Sequence, residues 1–322
     1  MPATSHTPAL PAALKAAACA ALCVLFAATP GCARRPGNPA LSRTTTRPAV
    51  RGADRGLEIW SWAVSDPRRQ LPVDSSDPAR PGPALLIRDD KTDIESLLWP
   101  YLARPVPIPD AVRDRWRASG LRAIAVPAAD LDRLLNASRL VGTVQRQWLG
   151  EVPAWTDAAL GPALHEPRTI AVGDGDSTLE PGRLRLLVRA WTVPVERDSG
   201  IPAAGLHVEL APRLDPFVPE RERMMAAAAG EPQTPPHTFP TLAATLTLAQ
   251  GEALVIVPDA PDVDWARPAP ETQPDEYGPQ PPPVPTLGEV LLASPGSWGT
   301  VRTRAIVALI PHLSDRFELI AR

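Results

Sequence analysis

"PDAVRDRWRASGLRAIAVPAADLDRLLNAS", residues 109–138, carries the clearest local pattern in the chain. Asp110 puts negative charge at the start of an apolar period in which Val112 and Trp116 share a face, and Gly120 suits the left-handed stop of a helix. "LRAIAV", beginning at Leu121, reads as a short strand; Pro127 then opens a second helix with Leu131, Leu134 and Leu135 along one side. Helix, strand and helix leave apolar faces that need a sheet to cover them. Two candidate strands precede them: "LEIWSWAV", residues 57–64, which alternates, and "ALLIR", residues 84–88.

Beyond residue 138 the period becomes two. "VGTVQRQWL", "TIAV", "GRLRLLVRAWTVPV", "AGLHVELAPRL", "TLAATLTLAQGEALVIV" and "VRTRAIVALIP" all read as strands, with "GDGDSTLEPG" and Gly205 supplying turns. Gln250-Gly251 divides the fifth of these into two alternating runs, the pattern of a hairpin. The expected fold class is therefore α+β. A small helix–strand–helix unit with two strands occupies residues 57–138, and a mainly antiparallel β domain occupies 139–322. Pro-rich insertions at 215–240 and 258–286 interrupt that domain, and polyproline-II character is expected of the second. The 42 prolines among 322 residues make the expected core smaller than the length suggests.

Outward to the N-terminus, "LKAAACAALCVLFAATPGCARRPG", residues 14–37, sets one cation, Lys15, before an uncharged run. The run is shorter than the ~20 apolar residues of a membrane-spanning helix and ends in small residues, as a secretory signal does. Gly31-Cys32 at its end resembles the bacterial lipoprotein box, although Thr29 and Pro30 stand where that family prefers Leu and a small residue. The resemblance implies acylation of Cys32, a signal peptide over 1–31, a tether over 32–56 and a membrane contact made through lipid. The other cysteines are Cys19 and Cys23, so a chain processed at Cys32 would keep a single thiol, the lipidated one. Export to the cell envelope follows, on the outer membrane or the periplasmic side if the cell has two membranes.

Composition then narrows the chemistry. A net charge of −3 with both signs interspersed indicates neither a nucleic-acid footprint nor a polybasic membrane patch. Lys15 and Lys91 are the only lysines, so no phosphate-binding loop of the GxxxxGK type exists. The processed chain would have no cysteine nucleophile, thiolate-ligated zinc or internal disulfide. No GxSxG elbow or HExxH pair occurs, and His165, His207, His237 and His312 are far apart in sequence. Asp174 and Asp176 in "GDGDST" read as a hairpin turn in preference to a calcium loop, and "RDDKTDIE" (Asp89, Asp90, Asp93, Glu95) as a solvated turn before a helix. No catalytic, cofactor-binding or metal-ligating residue is assigned. Trp60 and Trp62, two apart on a strand, share one face; they either anchor the core, the favoured reading, or form an interaction surface for sugar or protein.

Two further resemblances bear on role. "GLHVELAPRLD", "LTLAQGEALVIVP", "VPTLGEVLLASPG" and "TRAIVALIPHLSD" follow one another as do the strand, hairpin, connecting segment and last strand of the bacterial secretin β core; Pro258 stands where that family has glycines. "LLWPYLARPVPIPDAVRDRWRASGLRAIAVPAADLDRLL", residues 97–135, resembles a segment of uncharacterised envelope proteins of planctomycete-like bacteria. The expected role is non-enzymatic: a lipid-anchored envelope protein that pairs with a protein partner or with copies of itself through strand edges or a β surface. The alternatives are a ring-forming secretin relative and an exported hydrolase of envelope polysaccharide using Asp/Glu pairs.

Overall fold

The computed structural model describes residues 55–65, 92–196, 202–217, 235–259, 265, 284–293 and 303–313, all within one compact unit, Arg51–Arg322. Cys32, the candidate strand at 84–88 and most of both Pro-rich insertions lie outside the described residues.

The strands are β1 (Gly56–Ser65), β2 (Leu121–Pro127), β3 (Leu140–Gly150), β4 (Val152–Leu164), β5 (Arg168–Val172), β6 (Gly175–Leu179), β7 (Gly182–Glu196), β8 (Pro202–Pro216), β9 (His237–Thr238), β10 (Ala244–Leu248), β11 (Glu252–Pro258) and β12 (Thr303–His312). Short helices are α1 (Ile94–Leu98), α2 (Asp110–Ala118), α3 (Leu131–Ala137) and α4 (Leu287–Leu291). The first sheet has the order β2-β11-β12-β1-β3 and the second β10-β8-β7-β4, with β9 also on β8. Every pairing between these strands is antiparallel. The expected α+β class with several antiparallel sheets is present.

Alternation along the strands assembles three layers. Leu57 and Ile59 of β1, Leu254 of β11 and Leu309 of β12 join Leu186, Val188, Val208 and Leu210 in a core between the two sheets. The intervening side chains, Trp60, Trp62, Val255 and Ala308, form a second core with Leu98 of α1 and Leu131 and Leu134 of α3. The middle sheet is thus covered on both faces, so "ALVIV" in β11 and "AIVALI" in β12 are apolar at every position and depart from the alternation expected of these segments.

Two expectations are corrected. The boundary at 138/139 does not separate two bodies: β1 pairs with β12 along its whole length, from Gly56↔His312 to Ser65↔Thr303, and β2 pairs with β11. β1 is apolar on both faces, so burying it requires a central place that two strands and two helices alone do not offer. Nor do β10 and β11 form a hairpin. β10 pairs with β8 in the second sheet and β11 with β2 and β12 in the first; Gly251, at φ 82°, carries the chain from one sheet to the other. The hairpin that the secretin resemblance implies is therefore not formed at this position. Of the turn signals, Gly173 (φ 61°) and Asp174 do turn the chain between β5 and β6, whereas residues 175–178 of "GDGDST" belong to β6 and Gly205, read as a turn, lies inside β8 opposite Val193.

The two lateral openings of the sandwich differ. At the β2 and β10 side, α2 lies against β2, and Trp116, 1% exposed, donates its indole N–H to the Leu242 carbonyl at 2.8 Å. β2 is buried along most of its length even though it is an edge strand. At the β3 and β4 side, β3 is exposed along most of its length.

Candidate functional site

The exposed opening holds a cleft of about 420 Å³ between β3 with β1 on one side and β4 on the other, floored by α4 and β12. Its volume falls in the ~300–1,000 Å³ range of ligand-binding clefts. Gln145 pairs with Ser61 and Gln147 with Ile59. Cross-strand partners share a face, and Ile59 belongs to the inter-sheet core, so both glutamines occupy positions where a closed sandwich would place apolar side chains. Together with Ser61 and Thr143 they make a polar, uncharged wall; Asp157 stands at the rim, and Ala159, Leu160, Leu291 and Val307 make most of the rest apolar. This departure of β3 from inward-apolar alternation was legible in "VGTVQRQWL", yet sequence reading took the segment only as a strand.

β3 and β4 are the terminal strands of their sheets on this side, and their edges differ. β4 contains Pro153 and Pro162, and its register against β7 shifts between Val152 and Thr156, Asp157 and Ala159, and Leu160 and Ala163. Prolines and bulges are the devices that blunt an edge. β3 has no proline. Between its two irregularities, near Gly142 and Leu149, Gln145, Arg146, Gln147 and Trp148 run in unbroken register opposite Ser61, Trp60, Ile59 and Glu58. Among the described residues no backbone group of this run bonds outward to another segment.

The other face of β3 is tied to the helix layer. The Arg146 guanidinium lies 3.7 Å from the Trp60 ring centroid and pairs with Asp132 at 3.1 Å. Trp148, 46% exposed, meets the His312 ring edge-on at 5.1 Å, and His312 Nε2 lies 2.7 Å from Glu58 Oε2. Trp60 and Trp62 are 8% and 3% exposed, so the core reading of the pair holds and the interaction-surface reading is corrected. Their large apolar rings fill the layer under α1 and α3. The tryptophans that do reach solvent from this part of the fold are Trp148 and Trp155, which sequence reading did not single out.

From the cleft rim, where Asp157 stands, outward, the free face of the second sheet carries ion pairs. Arg185 spans Asp157 and Asp215, each at 2.6 Å, and Arg213 pairs with Asp215 at 2.6 Å. Burial, opposed by Arg185, holds the Asp157 carboxyl above its ordinary value. Arg189 pairs with Glu209 at 2.6 Å and stacks over Trp155 at 4.8 Å. His207 lies 3.3 Å from Glu209. Of the acidic group at 89–95, Asp89 and Asp90 lie outside the described residues; Glu95 is 1% exposed and pairs with Arg304 at 2.5 Å, which corrects its reading as part of a solvated turn. Among the described residues no group of three or more His, Cys, Asp or Glu could hold a metal ion, and no helix is long and apolar enough to cross a membrane.

No family model, no curated protein and no solved structure matches the chain.

Proposed function

We propose that this chain is a lipid-anchored protein of the cell envelope that holds a protein partner in the cleft between β3 and β4, in a non-enzymatic interaction or assembly role. The cleft carries the proposal: the sandwich is sealed by α2 at one side and open at the other, with a polar wall where core residues would otherwise stand. Two terminal strands framing an open cleft suit polypeptide recognition. The N-terminal reading supports the location, since a cation, a short apolar run and Gly31-Cys32 precede a polar tether.

The hydrolase alternative is less well supported. The carboxylates that meet on the second sheet, Asp157 and Asp215, are bridged by Arg185, which holds them in ion pairs instead of leaving them facing a glycosidic bond. The ring-forming alternative loses the support of its hairpin, since β10 and β11 lie in different sheets.

Two substitutions test the reading. Cys32→Ser should move the protein from the membrane fraction to the soluble one; continued pelleting with membranes contradicts the lipid anchor. Ala159→Phe, which fills the cleft from the β4 side, should abolish co-purification with the partner while leaving membrane attachment intact. Unchanged co-purification by a folded variant contradicts the cleft as the binding site.

A further inference from the structure

We infer that the occupant of the cleft is an extended, uncharged polypeptide strand that adds to the edge of β3, becoming a sixth strand of the first sheet. This rests on the reading of the cleft as the partner site and specifies what that site takes.

The backbone argument comes first. An edge strand presents a row of unpaired N–H and C=O groups, a template for another strand, and the regular run Gln145–Trp148 is the proline-free stretch on this side with a continuous ladder behind it. β4 across the cleft offers no comparable run, because three register shifts leave no more than two successive residues in register and two prolines interrupt it. An incoming strand therefore pairs with β3 and only packs against β4.

Side chains follow from the alternation. Every second residue of the added strand points into the cleft, between Gln145 and Gln147 on one side and Ala159 and Leu160 on the other. Those residues should be small or medium and neutral: the walls offer amide and hydroxyl groups, and the one carboxylate at the rim, Asp157, is already committed to Arg185. The residues between them point to the helix-layer face. There Arg146 is held by Asp132 and Trp60, which leaves the exposed Trp148 as the contact, favouring an apolar or β-branched residue opposite it.

The probe is an octapeptide of alternating Val and Thr, acetylated and amidated, titrated against the full-length chain extracted in detergent. Amide hydrogen exchange of residues 143–149 should slow at least tenfold on saturation, with no comparable slowing in β4. A peptide N-methylated at alternate residues along its pairing edge should lose this effect and bind at least tenfold more weakly. Ala159→Phe should block binding of the unmodified peptide. Two outcomes overturn the inference and separate it from the reading beneath it. If the peptide binds, is blocked by Ala159→Phe, yet leaves β3 unprotected and tolerates N-methylation, strand addition is wrong and the cleft stands as the partner site. If neither peptide binds up to millimolar concentration, or protection falls on β4 or on the free face of the second sheet, strand addition at β3 is wrong. The co-purification test on Ala159→Phe then decides the cleft by itself.

Discussion

Trp116 on α2 and Leu242, which ends the turn leading into β10, are joined by a 2.8 Å indole N–H to carbonyl hydrogen bond in a site where both residues are about 1% exposed. The bond ties the helix that follows the α1 segment to the second sheet and closes one flank of the sandwich. No comparable bond among the described residues crosses the β3 and β4 flank, and this asymmetry gives the molecule its open side.

Removing that bond should loosen the closed flank. Trp116→Phe leaves the buried Leu242 carbonyl without its donor and should cost about 1–3 kcal/mol. Trp116→Ala adds a large cavity and should cost about 3–5 kcal/mol. Urea unfolding measures both; a loss below ~0.5 kcal/mol for Trp116→Phe would mean that the indole N–H contributes nothing to closure.

Gly120 and Gly251 form a matched pair. Both have positive φ, 75° and 82°, a region that disfavours side chains. A Cβ on Gly251 meets nothing within 4 Å, whereas one on Gly120 would fall 1.9 Å from Oγ1 of Thr286, the residue that caps α4 through a reciprocal box with Glu289. Gly251→Ala should therefore cost about 1–2 kcal/mol, and Gly120→Ala clearly more, about 3 kcal/mol or above. Equal losses would show that the approach of α4 to the end of α2 is not tight.

Asp259 is 3% exposed, accepts from Trp265 Nε1 at 2.9 Å and pairs with Arg122 at 2.7 Å. Burial pushes its carboxyl above the ordinary 3.8, with Arg122 and Trp265 opposing. A raised value means that the folded protein takes up the proton more readily than the unfolded chain. Between the ordinary value and the raised one, this group's contribution to stability therefore grows as pH falls and is lost as pH rises. Asp259→Asn keeps an acceptor for the indole and removes the titration. The stability of the natural protein relative to this variant should rise between pH 7 and pH 4. A flat or falling difference contradicts the dominance of burial.

The elements legible in the sequence were those whose periodicity was uninterrupted. Residues 109–138 gave helix, strand and helix because Trp116, Gly120 and the leucines at 131, 134 and 135 sit at regular spacing, and β7, β8 and β12 are long runs with little ambiguity. β4 escaped notice because its two prolines and repeated register shifts erase alternation. α4 is one turn long; its signal was the Thr286 and Glu289 capping pair, hidden at the end of a Pro-rich stretch. Which sheet a strand joins is set by long-range packing, so the separation of β10 from β11 could not be read from Gln250-Gly251, a sequence equally suited to a hairpin. The candidate site was half legible. Polar residues at inward positions of β3 are visible in "TVQRQ", but their meaning depends on β3 lying at an edge, which only the topology shows.

Amide hydrogen exchange on the free protein tests the open flank most directly. If the β3 edge is bare, the amides of residues 145–148 should alternate, those bonded to β1 exchanging slowly and those facing outward exchanging at least a hundredfold faster, while β12 is protected throughout. Uniform slow exchange along β3, matching β12, would mean that another segment already covers this edge and that no room remains for a partner strand.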